Sequence, residues 1–368
     1  MLLCIIKYYD KIKGICLKLF LIFIFILSFS FPVFAKPLEK VTLQLRWHHQ
    51  FQFAGYYMAS QKGFYRDAGL DVTIYEASET RPSAVKEVVS GRAQYGVGNS
   101  GLINERIDGK PVVVLAAIFQ TSPNAWILRK DSHISTVIGL LDKRLMMTKD
   151  VENVELLALF QNEGVDVGKL NIIESSFNIN DLIDKKVDAF NGYLTNEPYY
   201  LKERGIEYTI IDPREYGIDF YSDCLFTSDN EVSYHPERVK AFREASLKGW
   251  IYALNNKEET IDVILANYSN LKTRDHLKFE ADAIHKLMIP ELIEVGHINP
   301  ARWDRIVKTY NKLGFAKSNT IPEGFLYNQN PIQNNILLYI ILSTIIVILA
   351  IATAITLYFY RLNSEIKE

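Results

Sequence analysis

With 368 residues, 48% hydrophobic and 23% charged, the chain has enough material for two lobes with buried cores. Its formal net charge of −2, without a Lys/Arg block, excludes a protein that relies on phosphate neutralisation to hold nucleic acid. The most apolar stretches lie at the two ends, which separates the termini from the body.

At the N-terminus, Lys7, Lys11, Lys13 and Lys18 surround or precede the run "LFLIFIFILSFSF", and Val33 and Ala35 are suited to cleavage after Ala35. This pattern predicts a secretory signal over residues 1–35. An uncleaved anchor is the competing reading, because Cys16 and Leu17 could extend the apolar run. The body then alternates strand and helix patterns. "VTLQLRW" alternates apolar and polar residues as a strand, and "FAGYYMASQKG" has helical spacing that stops at Gly63. "LDVTIYEA" is the next strand and "RPSAVKEVVSG" the next helix, with Pro82 expected in its first turn. "AQYGVGN" (strand), "SGLINERIDG" (helix) and "PVVVLAAIFQ" (buried strand) complete a first unit. A second unit repeats the order through "RLMMTK", "VENVELLALFQNEG", "LNIIES", "NINDLIDKKVDAF", "NEPYYLKERG" and "EYTIID". The flanking stretches 124–132 and 220–232 read as two strands that cross between lobes. Beyond residue 232 the pattern is mostly helical: "PERVKAFREASLKGWIYALNN", "KEETIDVILANYS", "EADAIHKLMIPELIE" and "PARWDRIVKTYNKLG".

Residues 336–360 form 25 residues without charge, long enough at about 1.5 Å per residue to cross roughly 30 Å of hydrocarbon. Arg361 and Lys367 follow, which orients the tail 361–368 to the cytoplasm and the body outside it. The expected organisation is therefore a signal over 1–35, a binding body over 36–325, a linker over 326–335, one transmembrane helix over 336–360 and a short tail. Cys4 and Cys16 fall in the signal, so Cys224 has no intrachain partner after cleavage; a packed hydrophobe is the plain reading and a reactive thiol the sharper one.

Four stretches carry a family resemblance: "LQLRWHHQFQFAGYYMASQKGFYRDAGLDV", "VVSGRAQYGVGNSGLINER", "GYLTNEPYYLKERG" and "YGIDFYSDCLFTS". Over roughly residues 40–320 the chain resembles the bacterial extracellular solute-binding superfamily, in its thiamine-pyrimidine branch. That branch includes formylaminopyrimidine-binding proteins of transporters, sensor domains of membrane kinases and cyclases, and pyrimidine-precursor (HMP phosphate) synthases. The resemblance implies an α/β, two-lobed periplasmic-binding-protein domain of type II (Venus-flytrap) followed by one transmembrane helix. Lobe 1 would take about 40–125 and 225–325, and lobe 2 about 126–222. It also implies a small-molecule ligand and a single-pass membrane location, with an ABC permease or a separate cytoplasmic kinase or cyclase module as partner.

The synthases consume their own histidine with a lysine-bound pyridoxal phosphate and iron. Matched through "SGRAQYGVG", the lysine position holds Gly98 and the histidine position Leu102, and the cysteine-rich run is reduced to Cys224. Glycine cannot form a Schiff base, so no catalytic residue and no cofactor is assigned; pyridoxal phosphate and iron belong only to the synthase alternative. His48 and His49 are adjacent, and His133, His235, His276, His285 and His297 show no HxH or HxxxH spacing, so no metal site is assigned.

The remaining reading is a pocket wall. Trp47 and Phe51 offer π faces, and His48 and Gln50 offer hydrogen bonds to a heterocycle edge. Phe53 and Tyr57 read as core. From the opposite lobe, Glu197 could accept two N–H bonds or cap its own helix, Tyr193 could give a second ring face, and Thr195 and Asn196 are N-caps first and contacts second. Asn99 and Ser100 form a turn at a helix N-terminus suited to an anionic group, and Tyr221 stands near the second crossing. Asp219 and Asp223 could serve there or stabilise the hinge. Three functions follow: a membrane-anchored binding protein or sensor domain for a thiamine-pyrimidine-precursor-like ligand, the synthase, or a binding module for a sulfonate, nitrate or amino-acid derivative.

Overall fold

The computed structural model of the chain describes residues 37–149, 151–328, 340–351 and 353–354. In chain order the strands are β1 (Glu39–Gln44), β2 (Leu70–Tyr75), β3 (Tyr95–Gly98), β4 (Val112–Phe119), β5 (Asn124–Arg129), β6 (Leu145–Met146), β7 (Ile172–Ile173), β8 (Ala189–Tyr193), β9 (Tyr208–Ile211) and β10 (Ser222–Ser228). They form two five-stranded sheets, ordered β2-β1-β3-β10-β4 and β7-β6-β8-β5-β9. β1 runs parallel to β2 and β3, and β6 parallel to β7 and β8. β10 is antiparallel to β3 and β4, and β5 to β8 and β9.

Each of these antiparallel strands is the one the chain enters after changing lobes. The crossings themselves are the connections 120–123 and 212–221, not the strands at 124–132 and 220–232 that the sequence pattern suggested. The reason is burial. β5 is buried at all but its last residue, and β10 likewise. Such runs must sit inside a sheet, with neighbours on both edges and layers on both faces.

Local chemistry explains two other shifts. Ser83 caps the helix Ala84–Val89 by accepting from Lys86 N, so Pro82 precedes the cap and lies outside the first turn. The helix Arg274–Met288 starts earlier than its apolar pattern suggested, because Thr273 caps it by accepting from His276 N at 3.2 Å. It ends at Ile289, whose φ of 51° leaves helical space directly before Pro290. Cys224 is fully buried, and that burial pushes its thiol pKa well above the ordinary range, so it packs as a hydrophobe and is not activated.

Of the expected span, residues 340–351 and 353–354 are helical; the others lie outside the described residues, as does the whole signal 1–35. Among the described residues no helix is long and apolar enough to cross a membrane.

The first lobe is fastened by the helix Ala54–Gln61 against Pro236–Asn255. They approach closely because Gly55 lies under Trp250, and Gly249 faces the Gly55 carbonyl; a Cβ on Gly249 would stand 2.1 Å from that oxygen. Gly249→Ala should therefore force the helices apart and cost about 1–3 kcal/mol, the range for overpacking. A guanidinium denaturation midpoint reads this directly, and an unchanged midpoint would mean that the two backbones are not in contact.

Candidate ligand-binding cleft

A cavity of about 270 Å³ lies between the two sheets. The turn after β1 supplies Arg46, Trp47, Gln50 and Gln52. The facing lobe supplies Asn124 at the start of β5, Asn191 and Tyr193 at the end of β8, Glu152 and Asn153 from a short 3-10 turn, and Thr148, Phe177 and Asn196 from loops. The ends of strands and the loops beside them are where a two-lobed α/β fold leaves a crevice.

Arg46 crosses the cleft. Its guanidinium donates to the Tyr193 hydroxyl and pairs with the Glu152 carboxylate, both in the second lobe. Burial works against its charge, but Glu152 and Tyr193 outweigh that and hold it firmly cationic. Above it, the Trp47 ring stands 5.5 Å from Phe177 across the mouth of the cavity. A second bridge lies to one side. Lys272 pairs with buried Glu280 at 3.1 Å and donates to Asn196 Oδ1, while Tyr199 stacks on His276 with centroids 4.1 Å apart. Burial, reinforced by Lys272, lowers the His276 pKa to about 3, so its ring is neutral.

The structure brings Trp47, Gln50, Tyr193 and Asn196 to the cavity wall. It does not bring the other sequence candidates there. His48 is turned out beside Glu76 at 3.4 Å, and His49 reaches the Tyr57 hydroxyl at 2.9 Å. Phe51 is wholly buried in the first-lobe core, and its main-chain N–H is taken by Glu280 Oε2 at 2.9 Å. Asn99 uses its side-chain oxygen to accept from Gly101 N and its amino group to reach the Glu152 carbonyl, so it joins the lobes. Ser100 donates to the Tyr221 carbonyl, and the Tyr221 hydroxyl accepts from Asn299 N, which ties both into the hinge region. Thr195 is buried outside the lining.

Glu197 takes the capping role and not the contact role. Its carboxylate accepts from Tyr193 N and Asn196 Nδ2, each at 2.6 Å, and so shapes the turn that carries both cavity residues. Asn196 itself makes no side-chain cap.

Sequence reading missed Arg46, Gln52, Asn124, Thr148, Glu152, Asn153, Phe177 and Asn191. One signal was available: Asn124 and Asn191 are amides inside otherwise apolar strands, where an unpaired polar group would be costly. The Thr148 hydroxyl is buried beside the cavity without a hydrogen-bond partner among the described residues. Among the described residues no group of three His, Cys, Asp or Glu could hold a metal ion.

Two buried carboxyls lie behind the wall. Burial pushes Asp223 up to about 6, against the pull of Arg46 and Gln52. Burial likewise pushes Glu155 up to about 7; one oxygen accepts from Ser122 Oγ at 2.7 Å and the other has no hydrogen-bond partner among the described residues. A carboxyl whose native pKa is raised keeps a proton that the unfolded chain has already released. Its stabilising contribution is therefore complete below the ordinary value near 4.5 and is lost as pH rises towards about 7. Stability should fall across that window, and Glu155→Gln should flatten the fall. Urea midpoints at pH 4.5 to 8 check this; parallel curves for parent and variant would contradict it.

Comparison with known proteins gives a match to the family described as NMT1/THI5 like over residues 50–260. The riboflavin-binding protein RibY of Chloroflexus aurantiacus is 26% identical over 238 residues, covering 63% of this chain and 67% of RibY. The formylaminopyrimidine-binding protein of Halalkalibacterium halodurans is 24% identical over 238 residues, covering 63% of this chain and 72% of its own. Among solved structures, the alkanesulfonate-binding protein SsuA from Xanthomonas axonopodis pv. citri, bound to MOPS, aligns with a TM-score of 0.61 at 12% identity over 79% of this chain and 99% of SsuA. That likeness carries the fold, the two-lobed α/β architecture of periplasmic binding proteins. The family match spans more than half of the sequence, and the chain belongs to the NMT1/THI5-like family.

Proposed function

We propose that the chain is an extracytoplasmic binding protein or sensor domain, tethered by residues 336–360, that closes on a small thiamine-pyrimidine-precursor-like heterocycle and releases it chemically unchanged. The observation that carries this reading is the chemistry of the cavity lining. Trp47, Tyr193 and Phe177 offer ring faces, and amides supply most of the polar edge. Among the described residues Arg46 is the one cation in the lining, and it is already paired with Glu152. A sulfonate or nitrate would have to displace that carboxylate, whereas a neutral ring need not. At about 270 Å³ the cavity is near the lower end of small-molecule sites, which begin at about 300 Å³, so one substituted ring suits it better than a flavin.

The names of RibY and the formylaminopyrimidine-binding protein point the same way, since both ligands are flat nitrogen heterocycles. The synthase reading has little support. Gly98 ends β3 and Leu102 is a buried core residue, so neither can supply a Schiff base or an imidazole, and no step through pyridoxal phosphate or iron is derived. A permease or a cytoplasmic signalling module is the natural recipient of lobe closure, because a bound ligand moves the open–closed equilibrium only by its differential affinity.

Thermal denaturation of the purified full chain with aminopyrimidines tests the ligand class. A ligand at 100 times its dissociation constant should add about 2.7 kcal/mol. Trp47→Ala should remove most of that gain and still melt cooperatively. Stabilisation by an alkanesulfonate alone would contradict the reading. For the anchor, the full chain should stay in the membrane pellet after alkaline carbonate extraction and be released when residues 336–360 are deleted. Extraction of the intact chain would contradict it.

A further inference from the structure

The amides of the cleft hold one another, and the order in which they do so has a direction. In the first lobe the starting point is Asp223, buried and held at a φ of 49°, a left-handed conformation that a residue with a Cβ keeps only where its surroundings demand it. Its carboxylate accepts from Gln52 Nε2 at 2.6 Å and from Ser222 Oγ at 3.1 Å. An ionised carboxylate only accepts, so Gln52 must turn its amino end inward and its carbonyl oxygen towards Gln50, whose Nε2 donates to it. Gln50 is left with its own carbonyl oxygen, which has no partner among the described residues, at the cavity wall.

The second lobe repeats the device from another anchor. The main-chain carbonyl of Thr148 accepts from Asn153 Nδ2 at 2.9 Å, and a carbonyl cannot donate. Asn153 Oδ1 therefore accepts from Asn124 Nδ2 at 3.1 Å, and Asn124 Oδ1 accepts from Asn191 Nδ2 at 2.7 Å. Asn191, too, ends in a carbonyl oxygen at the cavity. Turning over any one amide would set donor against donor or acceptor against acceptor where the bonds are buried or partly buried, so each relay keeps its polarity as a unit.

We propose that these two relays set ligand selectivity: Gln50 and Asn191 present acceptors from opposite lobes, so the cleft selects a ring carrying amino N–H donors over its oxo counterpart. This rests on the pyrimidine reading above and sharpens it. An oxo group would bring a lone pair against a fixed carbonyl oxygen, a repulsion the site cannot relieve without leaving a buried amide unpaired.

The test is calorimetric titration of the full chain at pH 7.5 with 4-amino-2-methylpyrimidine and with its 4-oxo counterpart. The parent should bind the amino compound at least about tenfold more tightly, the scale set by a mismatched buried hydrogen bond. Asp223→Asn gives the first relay an anchor that can face either way, and Asn124→Ala cuts the second. In each, the amino-to-oxo ratio should fall towards unity, and should a variant fail to fold, the other reads the same quantity. Equal binding of the two rings by the parent, or an unchanged ratio in the folded variants, overturns the relays while leaving the ligand class intact. Failure to bind either ring, with binding of an alkanesulfonate instead, overturns the ligand class and this proposal together.

Discussion

A guanidinium set between two lobes is the constraint around which the cleft is organised. Arg46 follows β1 in the first lobe, yet its partners, Glu152 and the Tyr193 hydroxyl, belong to the second. The Arg46 side chain is mostly buried while that of Glu152 is 52% exposed, so the guanidinium depends on its protein partners more than the carboxylate does. Separation of the lobes therefore requires water to enter and resolvate Arg46, and closure is the arrangement in which the charge is matched by protein. Lys272 on Asn196, Asn99 on the Glu152 carbonyl and Tyr199 on His276 add further interlobe contacts beside it. Asn196 belongs to both sets, since it lines the cavity and accepts from Lys272. Cavity lining and lobe contact thus share a residue.

The same bridge governs what the cavity can hold. Because the arginine is already paired, the space inside is lined by neutral hydrogen-bonding groups and ring faces and carries little unbalanced charge. In the proposed reading, stacking would fix the plane of a ring and the amides would discriminate at its edge. The carboxyls behind the wall, Asp223 and Glu155, lie outside the lining. Their raised pKa values reflect burial, and they bear on the wall through the side chains they hold.

Much of the fold was legible in the sequence because its signals are local. Alternating runs such as "VTLQLRW" and helical runs opened by proline such as "PERVKAFREASLKGWIYALNN" specify their elements with neighbours close in sequence. Strand–helix alternation twice over then implies two sheets. The site was less legible because its contacts are remote. Arg46 and Glu152 are 106 residues apart, and Gln52 and Asp223 are 171 apart. Trp47 and Tyr193 stood out as aromatics in turns, but the same reasoning gave Phe51 to the pocket, although its position places it in the core beneath. Glu197 had two physically sound roles, and only the coordinates distinguish a carboxylate facing a ligand from one that accepts its own turn's N–H groups. The crossings were misplaced for a similar reason. A buried strand looks the same whether it lies in one sheet or passes between two, and only pairing decides.

If the lobes close upon a flat solute, the distance across the mouth of the cleft should shorten when it binds. Spin labels at Glu79 and Asn178, both exposed, would report on the two rims, with Cys4 and Cys16 replaced by serine and buried Cys224 left in place. The account predicts a distribution that narrows and shifts to the shorter distance when an aminopyrimidine is added, and that reverts when the ligand is dialysed away intact. A distribution that the ligand leaves unchanged, or a ligand recovered as a different compound, would contradict it.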